Sequence, residues 1–168
     1  MRSALFLFAA LDDADMRWLA THGSRRDFAP GDTLIRRGER LNGLLVILAG
    51  AARVDIAGHT ILRRAGECLG EVSLVDSRPA SVTVAASEPT TALWLDGDTL
   101  RRQFAADPGF AARCYRGLAI LLANRLREAT APDADDALDL DDIMLDAMAR
   151  AGARFQLLLS YTNTGAGP

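Results

Sequence analysis

Glu67 and Glu71 stand four residues apart, a spacing at which two carboxylates could act as an acid/base pair. They straddle a turn bounded by Gly66 and Gly70, however, and no nucleophile or histidine motif accompanies them. There is no Gly-x-Ser-x-Gly elbow and no phosphate loop ending in Gly-Lys. All 19 basic residues are arginine, so Schiff-base and lysine-base chemistry are impossible. Cys68, Cys114, His22 and His59 lie in unrelated contexts and cannot supply a clustered zinc site by spacing. Both thiols are expected to be reduced and buried, which suits the cytoplasm. Neither an enzyme, a metal site nor a cofactor is expected from these residues.

The chain has 168 residues, enough for one domain or one domain with an appendage. Hydrophobic residues at 49% and charged residues at 24% exclude an intrinsically disordered chain. The net charge of -3 offers no basic excess to draw the chain to nucleic acid or an anionic membrane. The apolar run Leu5 to Leu11 is too short to span a bilayer and runs straight into Asp12, Asp13 and Asp15.

Residues 4–22 read as helical, with Leu7, Phe8, Leu11, Met16 and Leu19 at roughly helical spacing and Asp12 or Asp13 capping a new turn. Pro30-Gly31-Asp32 breaks that pattern. Short apolar runs then alternate with glycines: 33–35, 44–48, 52–56, 60–62, 82–85 and 92–95. Strands at this spacing predict an antiparallel sandwich, roll or small barrel. A helix is expected from Asp96 to Phe104, with Asp98 as a cap. A longer one follows Asp107-Pro108 to about Ala129. Phe110, Cys114, Leu118, Leu121, Leu122 and Leu126 form its apolar stripe, which could serve as core, as a dimer seam, or as both. Arg113, Arg116, Arg125 and Arg127 lie off it. From Ala129 to Asp146 seven aspartates and no arginine give a charge of -7, which leaves the rest of the chain at +4. Pro132 makes this segment a break, followed by a last helix at about 141–160 and a frayed tail.

Several of these pieces resemble the cyclic nucleotide-binding domain family. Leu34-Ile35-Arg36-Arg37-Gly38-Glu39 and Leu44 to Gly50 resemble its first signature, and Gly66-Glu67-Cys68-Leu69-Gly70-Glu71-Val72-Ser73-Leu74 resembles the opening of its phosphate-binding cassette. The entry Phe28 to Asp32 and the helix ending Leu122-Ala123-Asn124-Arg125-Leu126 fit as well. The resemblance covers about residues 4–130. It implies an α+β, mainly β fold: an eight-stranded antiparallel β-roll, jelly-roll-like, with flanking N-terminal and C-terminal helices, as in catabolite-activator-type regulators. It also implies that a short helix near Gly70 offers backbone donors to a phosphate. Glu71 would then accept from a ribose 2′-hydroxyl, and Val72 and Ser73 would add backbone donors. The other reading of Glu71 is an exposed turn carboxylate.

One departure stands out. The family's arginine nine residues after the glutamate falls on Ala80 here. Arg78 is present two residues early, before Pro79, where it could be a solvated turn residue. Ser81 could donate a hydroxyl to the ligand or simply open a strand. Asn124 or Thr130 could touch a base, or be ordinary polar helix positions.

The expected organisation is a cyclic nucleotide-binding-like roll at 1–130 and an acidic linker with a helical extension at 131–168. No helix-turn-helix is recognised after the long helix, and acidic residues repel a phosphate backbone, so DNA is not an expected partner. The expectation is a cytoplasmic regulatory module that senses a cAMP- or cGMP-like nucleotide at Gly70, Glu71, Val72, Ser73, Ala80 and Ser81. It would signal by protein contact, as a homodimer or with a partner, through its C-terminal helices. The last helix could instead pack back onto the roll. The alternative function is a degenerate roll without ligand, serving as an interaction scaffold; a cyclic dinucleotide ligand is a third.

Overall fold

Apolar runs too short for helices, separated by glycines that turn the chain, fold into eight strands. In the computed structural model, which describes residues 4–56, 59–130 and 142–164, these are β1 (Ser24–Phe28), β2 (Thr33–Ile35), β3 (Gly43–Ala49), β4 (Ala51–Ile56), β5 (His59–Arg64), β6 (Cys68–Leu69), β7 (Val84–Ala86) and β8 (Thr90–Asp96). They make two four-stranded sheets, ordered β1-β8-β3-β6 and β2-β7-β4-β5, with every pair antiparallel. The helices are α1 (Ala4–Ala10), α2 (Asp13–His22), α3 (Glu71–Asp76), α4 (Gly97–Ala106), α5 (Pro108–Thr130) and α6 (Asp142–Thr164). The expected α+β, mainly β roll with helices at both ends is the fold of this chain.

β3 explains the layering. Successive strand side chains point to opposite faces. Leu44, Val46 and Leu48 pack with the helices, while Leu45 and Ile47 face the roll interior with Ile35, Val54, Leu69 and Val84. A strand buried on both faces must be apolar throughout, which is why this run does not alternate. β1 is the converse. Its sequence Ser24-Arg25-Arg26-Asp27-Phe28 is exposed and polar, so it carries no apolar strand signal. Backbone pairing with β8 holds it, assisted by Arg26 lying 4.4 Å over the Trp94 ring. β6 has only two residues and also escapes a periodicity reading.

The helices are fixed by charged caps and by ion pairs. Asp12 caps α2 in a capping box with Asp15. At α4 the cap is Asp96, which accepts from the Thr99 amide; Asp98, expected as the cap, lies inside the first turn. Asp15 is 4% exposed and takes both Nε and Nη2 of Arg113 at 2.6 and 2.7 Å, tying α2 to α5. Gly117 lets α1 cross α5 closely, since a Cβ there would sit 2.8 Å from Leu7 Cα. α6 lies against α1 and α2, burying Ala151, Phe155 and Leu158, with Phe155 stacked on Phe8. Arg154 caps the end of α1 by donating to the carbonyls of Phe8 and Ala9 at 3.1 and 3.3 Å. The side chains of Ile143, Leu145 and Met148, and the linker and tail at 131–141 and 165–168, lie outside the described residues. Cys68 and Cys114 are buried and free of disulfides, and burial pushes the Cys114 thiol up to about 12.

Burial pushes the Asp15 carboxyl up, but the Arg113 hydrogen bonds, the Asp12 amide and the Arg113 and Arg154 charges outweigh it and hold it below its ordinary value. The stabilisation is therefore complete above the unfolded pKa near 3.8 and is lost as pH falls through the lower folded value. Arg113 is partly solvated, so Asp15→Asn should cost about 1–2 kcal/mol at pH 7. Urea unfolding of both proteins checks this, and the gap should narrow below roughly pH 4.

Candidate functional site

Gly70 is where the chain turns from β6 into α3. It adopts a left-handed conformation at φ 88°, and a Cβ there would meet Leu41 Cδ2 at 2.3 Å and the Gly43 carbonyl at 2.9 Å. The turn places Glu71, Val72 and Ser73 in the first turn of α3, where backbone N–H groups have no intrahelical acceptor. The six residues picked from the sequence come together here. Gly70, Glu71, Val72, Ser73, Ala80 and Ser81 all line one cavity of about 320 Å³. The rest of its wall is mainly aliphatic, with Ile35, Val54, Ile61 and Val84 among the side chains from the roll, and α5 closes one side.

Glu71 is not an exposed turn carboxylate: it is 5% exposed. Its Oε1 accepts from Nη1 of Arg125, which reaches down from α5, and Nη2 of Arg125 donates to the Cys68 carbonyl at 2.5 Å. The pair thus joins the cassette to the long helix across the cavity. Val72 is half exposed and Ser81 exposed, at the mouth. Ala80 is buried in the roll interior and pinned by its backbone. Its amide donates to Glu39 O at 2.9 Å, and its carbonyl accepts from the Gly38 amide at 2.8 Å.

Arg78 does not replace the missing cassette arginine. It lies outside this cavity, with its side chain 83% exposed, beside Arg40 and Arg101 on a separate polar groove. Asn124 and Thr130 do not line the cavity. Asn124 accepts from Arg127, and Thr130 donates to the Leu126 carbonyl. Leu126, expected in the apolar stripe, is 65% exposed because α5 here overhangs the cavity rather than the core. Two cavity cations escaped the sequence reading. Arg125 stands off the apolar stripe of α5, and Arg63 lies on β5, four residues before Glu67. The i, i+4 spacing of Arg63 and Glu67 was the available signal for the second. Among the described residues no cluster of three or more His, Cys, Asp or Glu could hold a metal ion, and no helix is long and apolar enough to cross a membrane.

Residues 25–107 match the family model described as "Cyclic nucleotide-binding domain". The chain is 32% identical over 78 residues to a cGMP-dependent protein kinase of Eimeria tenella, covering 46% of this chain and 8% of the kinase. The chain thus spans only a small part of that relative. Among solved structures it is similar to a cyclic nucleotide-binding domain from Methylobacillus flagellatus. That match is 27% identical with a TM-score of 0.67, covering 76% of this chain and 75% of the other. The catabolite activator protein of Thermus thermophilus, 24% identical with a TM-score of 0.63, covers 97% of this chain and 91% of its own, and shares the fold.

A methyl group at Gly70 would combine left-handed strain with a clash against the Gly43 backbone. Gly70→Ala should lower stability by about 1–3 kcal/mol, read as a fall in the urea midpoint with an unchanged m-value.

Proposed function

We propose that this chain, whose residues 25–107 match the cyclic nucleotide-binding domain model, is a regulatory module that takes a cyclic nucleotide into the cavity beneath α5 and passes its occupancy on by protein contact. The observation that carries this reading is the Glu71–Arg125 pair. It places the carboxylate suited to a ribose 2′-hydroxyl in direct contact with the helix that closes the cavity.

The chemistry follows from the parts. A ribose hydroxyl donating to Glu71 shares that carboxylate with Arg125, so filling the cavity changes what holds α5. The amides of Val72 and Ser73 and the hydroxyl of Ser81 are the donors offered to a phosphate. Ala80 supplies none. A charge-assisted hydrogen bond is worth roughly 1.5–3 kcal/mol, so its absence weakens binding on the order of 10- to 150-fold without abolishing it. Leu126, exposed on α5, is a natural point for a second copy or a partner protein to read the helix. Two buried free thiols suit a reducing compartment, and we place the module in the cytoplasm. The family is a binding domain, not a catalytic one, and the role proposed here is regulatory.

A second reading is favoured by a specific observation: Glu71 already accepts from Arg125 in the cavity wall, and Ala80 offers a phosphate no arginine. On that reading the roll is a scaffold that needs no ligand. Thermal unfolding with cAMP, cGMP and cyclic dinucleotides titrated to millimolar separates the two. A ligand at 100 times its dissociation constant adds ~2.7 kcal/mol, a rise of several degrees. A saturable rise supports the sensor, and no rise from any of them supports the scaffold. Ala80 faces the cavity from a pinned backbone, so Ala80→Arg should tighten cyclic nucleotide binding ~10- to 150-fold by titration calorimetry. Glu71→Ala should weaken it; unchanged affinity would place the ligand elsewhere.

A further inference from the structure

We infer that the groove behind α3 is a second binding site, one that takes a phosphate monoester, either a phosphorylated side chain of another protein or a small phosphorylated compound. It is separate from the nucleotide cavity and does not depend on what that cavity holds. The groove has a volume of about 290 Å³ and is lined by Arg40, Arg78 and Arg101. These come from different parts of the chain: Arg40 from the loop between β2 and β3, Arg78 from the segment after α3, and Arg101 from α4. A chain of net charge -3 thus gathers three guanidinium groups in one concave place. Arg101 is held in position, its Nη2 donating to Asn42 Oδ1 at 2.5 Å and to Asp98 Oδ1 at 2.6 Å. Arg78 is only loosely paired, with Nε 3.8 Å from Asp76 and beyond hydrogen-bond reach. Arg40 is exposed and makes no ion pair among the described residues. Asp76 and Asp98 therefore stand against three arginines, and the charge of Arg102 also acts on Asp98.

The backbone shapes the same place. Ser77 ends α3 at φ 59°, the one non-glycine residue with a positive φ among the described residues, and Arg78 follows it directly. A serine is strained there, and such strain collects at sites that use it. Ser77 and Ser73 also line the groove and carry hydroxyl donors. The donor set decides the ligand. A phosphate monoester brings close to two negative charges and three terminal oxygens, whereas a carboxylate brings one charge and two oxygens. Arginine forks arriving from three directions match the former. The groove is larger than a phosphate group, and Leu41 and Leu74 give it an apolar side for the carbon chain that bears the phosphate. Leu41 and Ser73 line the nucleotide cavity as well, so a phosphorylated partner in the groove sits against the back of the α3 turn.

The test is an NMR titration of the whole chain with four probes. They are an end-blocked pentapeptide of alanines around one phosphoserine, the same peptide with serine, the same peptide with glutamate, and glycerol phosphate. The phosphopeptide should saturably shift the amides of residues 73–78 and the side-chain Nε–H groups of Arg40, Arg78 and Arg101. It should bind ~10-fold more tightly than the glutamate peptide. Arg40→Gln and Arg78→Gln should each weaken it ~3- to 10-fold, the range for solvent-exposed charge pairs. Arg78→Lys should weaken it too, since the charge remains but the fork is lost. Arg116→Gln, at an exposed arginine of α5 that does not line the groove, should change nothing. Tighter binding of the phosphopeptide than of glycerol phosphate supports a protein partner, and equal or tighter binding of glycerol phosphate supports a small compound. Several results would overturn the inference: equal binding of the phosphoserine and glutamate peptides, an Arg78→Lys variant that binds as before, or a loss with Arg116→Gln as large as with Arg78→Gln. So would shifts confined to Val72, Ala80 and Ser81 in the nucleotide cavity, or no shift from either phosphate monoester. A chain that binds no cyclic nucleotide would overturn the proposed function and leave this inference standing.

Discussion

The ion pair between Glu71 and Arg125 is the contact on which the site depends. Taking two charges out of water costs several kcal/mol per ion, and only a well-placed partner offsets it. Glu71 is buried because Gly70 turns the chain sharply into α3, and Arg125 is half-buried because α5 passes over the opening. Neither charge would be tolerable there alone. The position of the far half of α5 is therefore bound to the cassette, while its near half is bound to α2 by Arg113 and Asp15. The helix is held at two points by two charge pairs, and one of them stands in the cavity wall.

The remainder of that cavity is set by the roll. Aliphatic side chains from both sheets face inward because strand residues alternate, and among the described residues the void they leave is interrupted by charge only at Glu71, Arg125 and Arg63. Ala80 occupies its place in the interior cluster with its backbone fixed at both amide and carbonyl. Its methyl group thus stands at a fixed point of the wall and brings no charge to it. Arg40, Arg78 and Arg101 line a separate groove and do not reach this cavity.

Much of the fold was legible in the sequence because its signals are local. β3 announces itself as an unbroken apolar run, and the capping aspartate at 12 sits where a second helix must start. β1 was not legible, since an exposed edge strand held by backbone pairing needs no apolar residues, and β6 is too short to show a period. The apolar runs gave six strands, and the full eight were expected only through the family resemblance. The near half of the cavity lining, Gly70 to Ser73 with Ala80 and Ser81, was expected through the family resemblance, because those residues lie close together along the chain. The other half was not. Arg125 is 54 residues from Glu71, and only the return of α5 over the roll makes them partners. Arg63 looks like any strand arginine until the burial of its side chain is seen.

Hydrogen exchange along α5, measured with and without saturating cGMP, tests most directly whether the cavity and the helix are one device. If nucleotide and Arg125 share Glu71, the amides of residues 121–130 should change protection saturably with cGMP, while those of α6 on the far side stay as they were. A nucleotide that binds in the cavity yet leaves α5 exchange untouched would contradict the coupling through Glu71 and Arg125.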